Sequence, residues 1–392
     1  MPGLLSGLRV LDFTNLLPGP LCSMLMADSG AEVIKIEPPM KGDLGRQTEP
    51  REGGVSLRHL QLNRGKKSLT LNLKDKRGRD ILRTLAKESD VLLEGFRPGV
   101  MKRLGADFPS LFEANPRLVY GSLAGFGQDG PLGQTPGHDI NYLGYSGVLS
   151  LMGQNPDEVA IPGVQIADVG GALLFFSGVL MALFARERTG RGCHIDTSLF
   201  DAAALFLAPV LPEAMTLAGG PKRGKLRLNG KWACYGVYPA KDGKFLSVGA
   251  LEPKFWKRLC EALGRPEWVP MQYEPGQTQA ELKEGLRGVF LGQDRAYWLE
   301  RFKGEDVCIG PVLEPEEAIL EPQARSNGLF LELDHPRAGK LIQLGLPWRF
   351  SSLPKATPFK PAPGLGEHTM EILKGLGISQ AKAAQLKKEG VV

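Results

Sequence analysis

The chain has 392 residues, 42% hydrophobic and 23% charged, with a formal net charge of +5. That length predicts two domains rather than one core. The mild charge argues against an extended nucleic-acid track and suits small anionic ligands such as phosphates. Fifty glycines and 30 prolines predict many turns and loops, where sites tend to be built. The five cysteines (Cys22, Cys193, Cys234, Cys260, Cys308) are odd in number and form no CxxC pair, so free thiols in a reducing cytoplasm are expected. Met1 to Leu8 is too short and too glycine-broken to read as a signal peptide. The longest apolar run, Gly170 to Ala185 (GGALLFFSGVLMALFA), falls short of the roughly 20 residues of a membrane span and meets Arg186, Glu187 and Arg188 at once. It is expected to be a buried helix.

In chain order, Arg9 to Thr14 reads as a buried strand, and Pro18 to Asp28 as a helix with proline at its start and Gly30 near its end. Strands are expected at Ala31 to Glu37 and Ser68 to Leu73, an amphipathic helix at Asp75 to Glu88, and further strands at Asp90 to Gly95 and Leu118 to Leu123. This strand–helix alternation predicts a parallel sheet with helices on its faces. No GxGxxG follows the first strand. GFGQDG (Gly125 to Gly130) precedes a proline rather than a helix, which argues against NAD binding. Beyond the apolar run come a strand at Arg191 to Ser198, a helix from about Leu199, and a basic, glycine-rich crossing at Pro221 to Lys231. A hairpin follows over Tyr235 to Gly249, turning at KDGK. Helices and loops fill Lys254 to Gln323, a proline-rich strap runs from Ser351 to Gly366, and a final helix begins near His368.

Three acidic or basic side chains stand out. His138, in the loop-like PGHDINYLGYSG, has no second histidine or cysteine nearby, so a metal site is disfavoured there. Taken alone, it reads as a hydrogen-bonded structural histidine. Asp168 precedes the long apolar helix, where it could simply cap it. The same placement would keep its carboxylate ionised and available as base or nucleophile. Glu252 stands at a strand-to-helix junction before a proline and could merely complement the helix dipole. The basic group Arg64, Lys66, Lys67 and Lys74 reads as a solvated face that could also grip phosphates.

Several motifs occur in one order: GLRVLDFTNLLPGPLCSMLMADSGAEVIKIEPP, LNRGKKSLTLNLKD, DVLLEGFRPGVMKRLGA, NPRLVYGSLAGFGQDGP, ADVGGAL, RERTGRG and GEHTMEIL. Together they resemble the family III CoA transferases, or CaiB/BaiF family, across essentially the whole chain. GHDINYLGYSGVLS is similar to the α-methylacyl-CoA racemase branch, whose GHDINY motif carries a catalytic histidine. That resemblance assigns catalysis to His138 and Asp168, with Glu252 (ALEP) supporting the histidine. It implies CoA contacts at Asn72, Leu73, Lys74, Asp75 and Arg97, and contacts near the thioester at Gly137, Asp139, Ile140, Asn141 and Tyr142. Two segments depart from the racemases. Asn229 to Tyr238 (NGKWACYGVY) replaces DGGAPFY, in a region that faces the acyl pocket in the family. Pro38 stands where an arginine is common.

The resemblance further implies an α/β fold with a Rossmann-like large domain built from both chain ends. The expected division is 1–224, a smaller α+β domain at 225–325, and a return at 326–392, in an interlocked homodimer. No tightly bound cofactor is expected, because CoA enters as part of the acyl-CoA substrate; neither nucleic acid nor membrane is an expected partner. Two reactions fit. A racemase would use two bases on opposite faces of a 2-methyl-branched acyl-CoA enolate, the glycine beside His138 letting the backbone approach the thioester. A transferase would use Asp168 alone, through a mixed anhydride and an aspartyl-CoA thioester. A non-catalytic CoA-binding protein is the third reading, and the co-occurrence of His138, Asp168 and Glu252 argues against it.

Overall fold

The computed structural model describes residues 3–155, 157–216, 219–351 and 359–392. It divides into two compact units: Met1–Ser146 with Gly163–Phe206 and Gln323–Val392, and Gly147–Pro162 with Leu207–Pro322. The second unit thus begins at Leu207 and takes in Gly147–Pro162, beside the expected limits of 225 and 325. Residues 352–358 of the expected strap lie outside the described residues.

The first unit is built on six parallel strands: β1 (Arg9–Asp12), β2 (Glu32–Glu37), β3 (Lys67–Thr70), β4 (Val91–Glu94), β5 (Val119–Ala124) and β6 (His194–Ser198). Their order is β3-β2-β1-β4-β5-β6, with Leu11 flanked by Ile34 and Leu92. This is the doubly wound order, and the direction of strand addition reverses between β1 and β4. Continuous apolar runs form these strands because a parallel sheet is covered on both faces. All four residues of β4 are buried.

On one face Leu11, Ile34, Leu69 and Leu92 pack with Ile81, Leu82 and Leu85 of α2 (Lys76–Lys87). The C-terminal helices Thr369–Gly375 and Gln380–Lys388 complete that layer through Ile372, Leu373 and Leu386, so two helices stand where sequence suggested one. The other face carries α1 (Pro18–Asp28) and the 24-residue helix α4 (Ile166–Thr189), which α3 (Asp139–Tyr145) precedes and α5 (Leu199–Leu205) follows in the chain. A Cβ on Gly121 of β5 would lie 2.6 Å from Phe175 Cζ, so only glycine lets α4 seat on the sheet here. The expectation of a buried apolar helix holds for one side of α4. Phe175 and Val179 are fully buried, but Met181 and Phe184 are 67% and 66% exposed in the single chain. A hairpin of Phe330–His335 and Gly339–Leu344, not anticipated from sequence, also belongs to this unit.

The basic group divides: Lys74 is exposed as a solvated face predicts, but Arg64 and Lys66 are not. Arg64 is buried and pairs with Asp28 at 2.6 Å, and Lys66 is buried against Asp12 at 3.0 Å. Lys67 bridges Glu32 and Glu371 nearer the surface.

In the second unit β7 (Tyr235–Pro239), β8 (Phe245–Gly249) and β9 (Ile309–Val312) form an antiparallel sheet with β8 in the centre. The expected hairpin is present, Leu246 pairing with Tyr238. Trp256 and Leu259 of α6 (Pro253–Ala262), Leu282, Leu286 and Phe290 of α7 (Gln277–Phe290), and Trp298 of α8 (Arg295–Arg301) make its core.

Candidate active site

In an open parallel sheet, a crevice forms outside the carboxyl ends of the strands where strand order reverses. Here that crevice is a cleft of about 510 Å³. Thr14 and Asn15 after β1, Gly95, Phe96 and Arg97 after β4, Gly125 after β5 and Leu199 after β6 line it, together with Gly137, His138, Asn141, Tyr142 and Asp168. Thr14, Asn15, Phe96 and Gly125 were not predicted as site residues. Their signal is positional: each lies within three residues of the carboxyl end of a sheet strand.

His138 is the N-cap of α3, in an extended backbone conformation. Asn141 Oδ1 accepts the His138 N–H at 3.0 Å, which fixes the start of the helix. The next residue, Asp139, reaches sideways: its Oδ1 accepts the N–H of Asp168 at 3.0 Å. One carboxylate therefore ties the start of α3 to the first turn of α4, bringing His138 and Asp168 to one cleft although 30 residues separate them in the chain (168 − 138).

Asp168 lies in the first turn of α4, and Gln165 is the cap. Its carboxyl does not follow the expectation of a carboxylate kept ionised by the helix start. Burial pushes it up to about 6, and the neighbouring Asp139 charge pushes the same way, against His138. A carboxyl at this value exchanges protons near neutral pH, as acid–base work requires.

Tyr142 explains two glycines. Its hydroxyl donates to Gly137 O at 2.7 Å. A Cβ on Gly137 would lie 2.8 Å from Tyr142 Cε1, and one on Gly125 would lie 2.6 Å from Tyr142 Oη. Both glycines make room for this ring, a role the sequence reading did not give Gly137. Burial raises the phenol, with Asp168 adding to the shift and Arg97 opposing it, so Tyr142 stays neutral.

The remaining expected residues lie elsewhere. Ile140 is exposed outside the cleft lining. Asn72 to Asp75 follow β3: the Asn72 N–H donates to Val391 O at 2.8 Å, and Asp75 caps α2 through the Arg77 N–H. The Lys74 N–H donates to Asn72 Oδ1 at 3.1 Å. Leu73 buries its side chain in the core, so its backbone is what remains for a ligand. Glu252 belongs to the second unit, exposed at the N-cap of α6. That unit has its own cleft of about 670 Å³, lined by Tyr235, Val237, Val248 and Cys308 among others, with no charged side chain. Among the described residues no cluster of three or more His, Cys, Asp or Glu could hold a metal ion.

Residues 5–369 match the family model described as CoA-transferase family III. The chain belongs to this family. It is 37% identical over 397 residues to the alpha-methylacyl-CoA racemase of Homo sapiens, covering 99% of this chain and 97% of the relative. It is 36% identical over 387 residues to the acetyl-CoA:oxalate CoA-transferase of Acetobacter aceti, covering 97% of each. A CaiB/BaiF family protein from Brucella suis superposes with a TM-score of 0.83 at 29% identity, over 96% of this chain and all of that one. These family III structures share the mixed α/β architecture, and family membership makes CoA-linked acyl compounds the substrate class.

Proposed function

We propose that this enzyme interconverts the C2 epimers of 2-methyl-branched acyl-CoA thioesters by two-base proton transfer. The observation that carries the reading is His138 and Asp168 lining one cleft, joined through Asp139, with the Asp168 carboxyl at about 6. One of the pair removes the C2 proton, and the C–H electrons delocalise onto the thioester oxygen as an enolate. The other returns a proton to C2 from the opposite face. The pair therefore holds one proton in total, either on Asp168 or on His138, and the two directions of reaction use the two arrangements. Arg97 in the cleft wall offers positive charge to the anionic part of CoA, and this reading assigns the nucleotide to Asn72 to Asp75.

A second reading is the family's CoA transfer through an Asp168 thioester, favoured by the 36% identity to an oxalate CoA-transferase. The pH profile separates the two. Asp168 ionises as pH rises through about 6. A nucleophile needs only the carboxylate, so transferase activity rises through that range and then levels. A two-base racemase needs one shared proton, so kcat/KM for epimerisation falls on both sides of an optimum. Conversion of a single epimer to a mixture without an acceptor acid, with a bell-shaped profile, supports racemisation. A plateau in the presence of an acceptor, with the epimer unchanged, supports transfer.

The working form in this reading is a homodimer in the cytoplasm. Leu173, Met181 and Phe184 form an exposed apolar stripe on α4 that a second copy would cover. Sedimentation at low micromolar concentration is expected to give twice the 42.5 kDa chain mass. A folded, fully active monomer would contradict this.

A further inference from the structure

Leu16, in the cleft wall, has φ 65°, the left-handed conformation that costs a leucine energy and that glycine adopts freely. Strain of this kind persists where the surroundings enforce it, and it tends to gather at ligand clamps. The enforcing groups are buried and charged. Asp43 Oδ1 accepts the Leu16 N–H at 3.1 Å and the Gly45 N–H at 2.7 Å. The other Asp43 oxygen lies 2.8 Å from Lys35 Nζ, and both side chains are 1% exposed. Lys35 Nζ also donates to Thr14 O at 2.8 Å, while the Thr14 N–H donates to Asp12 Oδ1 at 2.9 Å. From below, α1 presses on the same turn: a Cβ on Gly19 would lie 2.2 Å from Thr14 Cβ.

The Thr14–Leu16 turn is therefore held by hydrogen bonds to its own backbone, yet the Leu16 side chain stays 43% exposed. Met40 has the same φ at 95% exposure, but it lies outside the cleft. We propose that Leu16 is an apolar contact for the thioester ligand, with Asp43 as its positioning residue and Lys35 fixing Asp43. In a cleft that also presents Arg97, His138 and Asp168, an exposed leucine meets the uncharged stem of such a ligand, either the thiol arm of CoA or the acyl chain. The inference rests on the reading of the cleft as an acyl-CoA site, but its test needs no turnover.

The test is the dissociation constant of 2-methylacyl-CoA, with free CoA measured beside it. Leu16→Ala is expected to weaken 2-methylacyl-CoA about tenfold, the order lost with a buried leucine contact. Equal weakening of CoA places the contact on the thiol arm, and an effect on acyl-CoA alone places it on the acyl chain. Asp43→Asn keeps an oxygen acceptor for the Leu16 N–H and loses the charge, whereas Asp43→Ala loses both. Affinity is expected to follow the acceptor, near parental for Asn and reduced for Ala, although both variants lower the melting temperature. Parental affinity for both ligands in Leu16→Ala would overturn the contact, and equal affinities in the two Asp43 variants would overturn the positioning. An unaltered protein that binds acyl-CoA but does not epimerise it would refute the proposed function and leave this test standing.

Discussion

Replacing His138 by alanine, or Asp168 by asparagine, is expected to lower epimerisation of a 2-methylacyl-CoA by about 10²–10⁴-fold each, the range for a positioned acid or base. The double variant should lose little more than either single one, because the two groups act as a unit on one proton. A loss from misfolding is distinguishable at Asp168. Its folded value of about 6 lies above the ordinary 3.8, so the folded protein takes up this proton more readily than the unfolded chain. The cost of the buried carboxylate is therefore absent below about pH 4, grows as pH rises to 6, and is complete above it. Asparagine removes that cost. Asp168→Asn should thus be inactive yet more stable than the parent by about 1–3 kcal/mol at pH 8, with the difference gone near pH 4. Chemical denaturation at the two pH values measures it.

Lys66→Met is expected to destabilise the fold by about 3–5 kcal/mol, the cost of leaving a buried charge without its partner. Lys66 Nζ lies within hydrogen-bond distance of Asp12 Oδ2 (3.0 Å), Ser23 Oγ (2.7 Å), Asn63 Oδ1 (2.9 Å) and Pro20 O (3.1 Å). Burial pulls the ammonium down to about 8, but the surrounding acceptors keep it charged at neutral pH. Asp12 is held well below the carboxylate range by Lys66 and Lys35 in spite of its burial. Methionine fills similar volume and returns none of these contacts, so the Asp12 carboxylate would keep its Ser23 and Thr14 donors but lose its near cation, with Lys35 4.0 Å away. A fall in the denaturant midpoint at neutral pH checks this, and a midpoint equal to the parent's would refute it.

The sheet was legible because its strands are buried on both faces: VLLE and VYGSLA read as strands without any partner in view. The extent of α1 was legible for a local reason as well, since Pro18 opens that helix. What failed to show was set by distant contacts. Arg64 and Lys66 look like a solvated run, because the aspartates that bury them lie 36 and 54 residues away in the chain. His138 and Asp168 were named through the family resemblance; their junction through the Asp139 carboxylate and the Asp168 N–H has no sequence signature. The upward shift of Asp168 escaped for the same reason, since a helix-start aspartate is ordinarily favoured as the anion and it takes burial, with the Asp139 charge adding to it, to reverse this. Thr14, Asn15 and Phe96 are ordinary residues whose place at the strand ends makes them cleft wall.

Deuterium uptake at C2 tests the central claim most directly. One epimer of a 2-methylacyl-CoA is incubated with the enzyme in deuterium oxide, without any acceptor acid, and recovered for mass and stereochemical analysis. A two-base mechanism predicts one deuterium at C2 together with loss of the original configuration, the epimerisation falling by about 10²–10⁴-fold in His138→Ala and in Asp168→Asn. Recovery of unlabelled, unchanged epimer, with a hydroxylamine-sensitive thioester on Asp168, would contradict it and make the enzyme a CoA transferase.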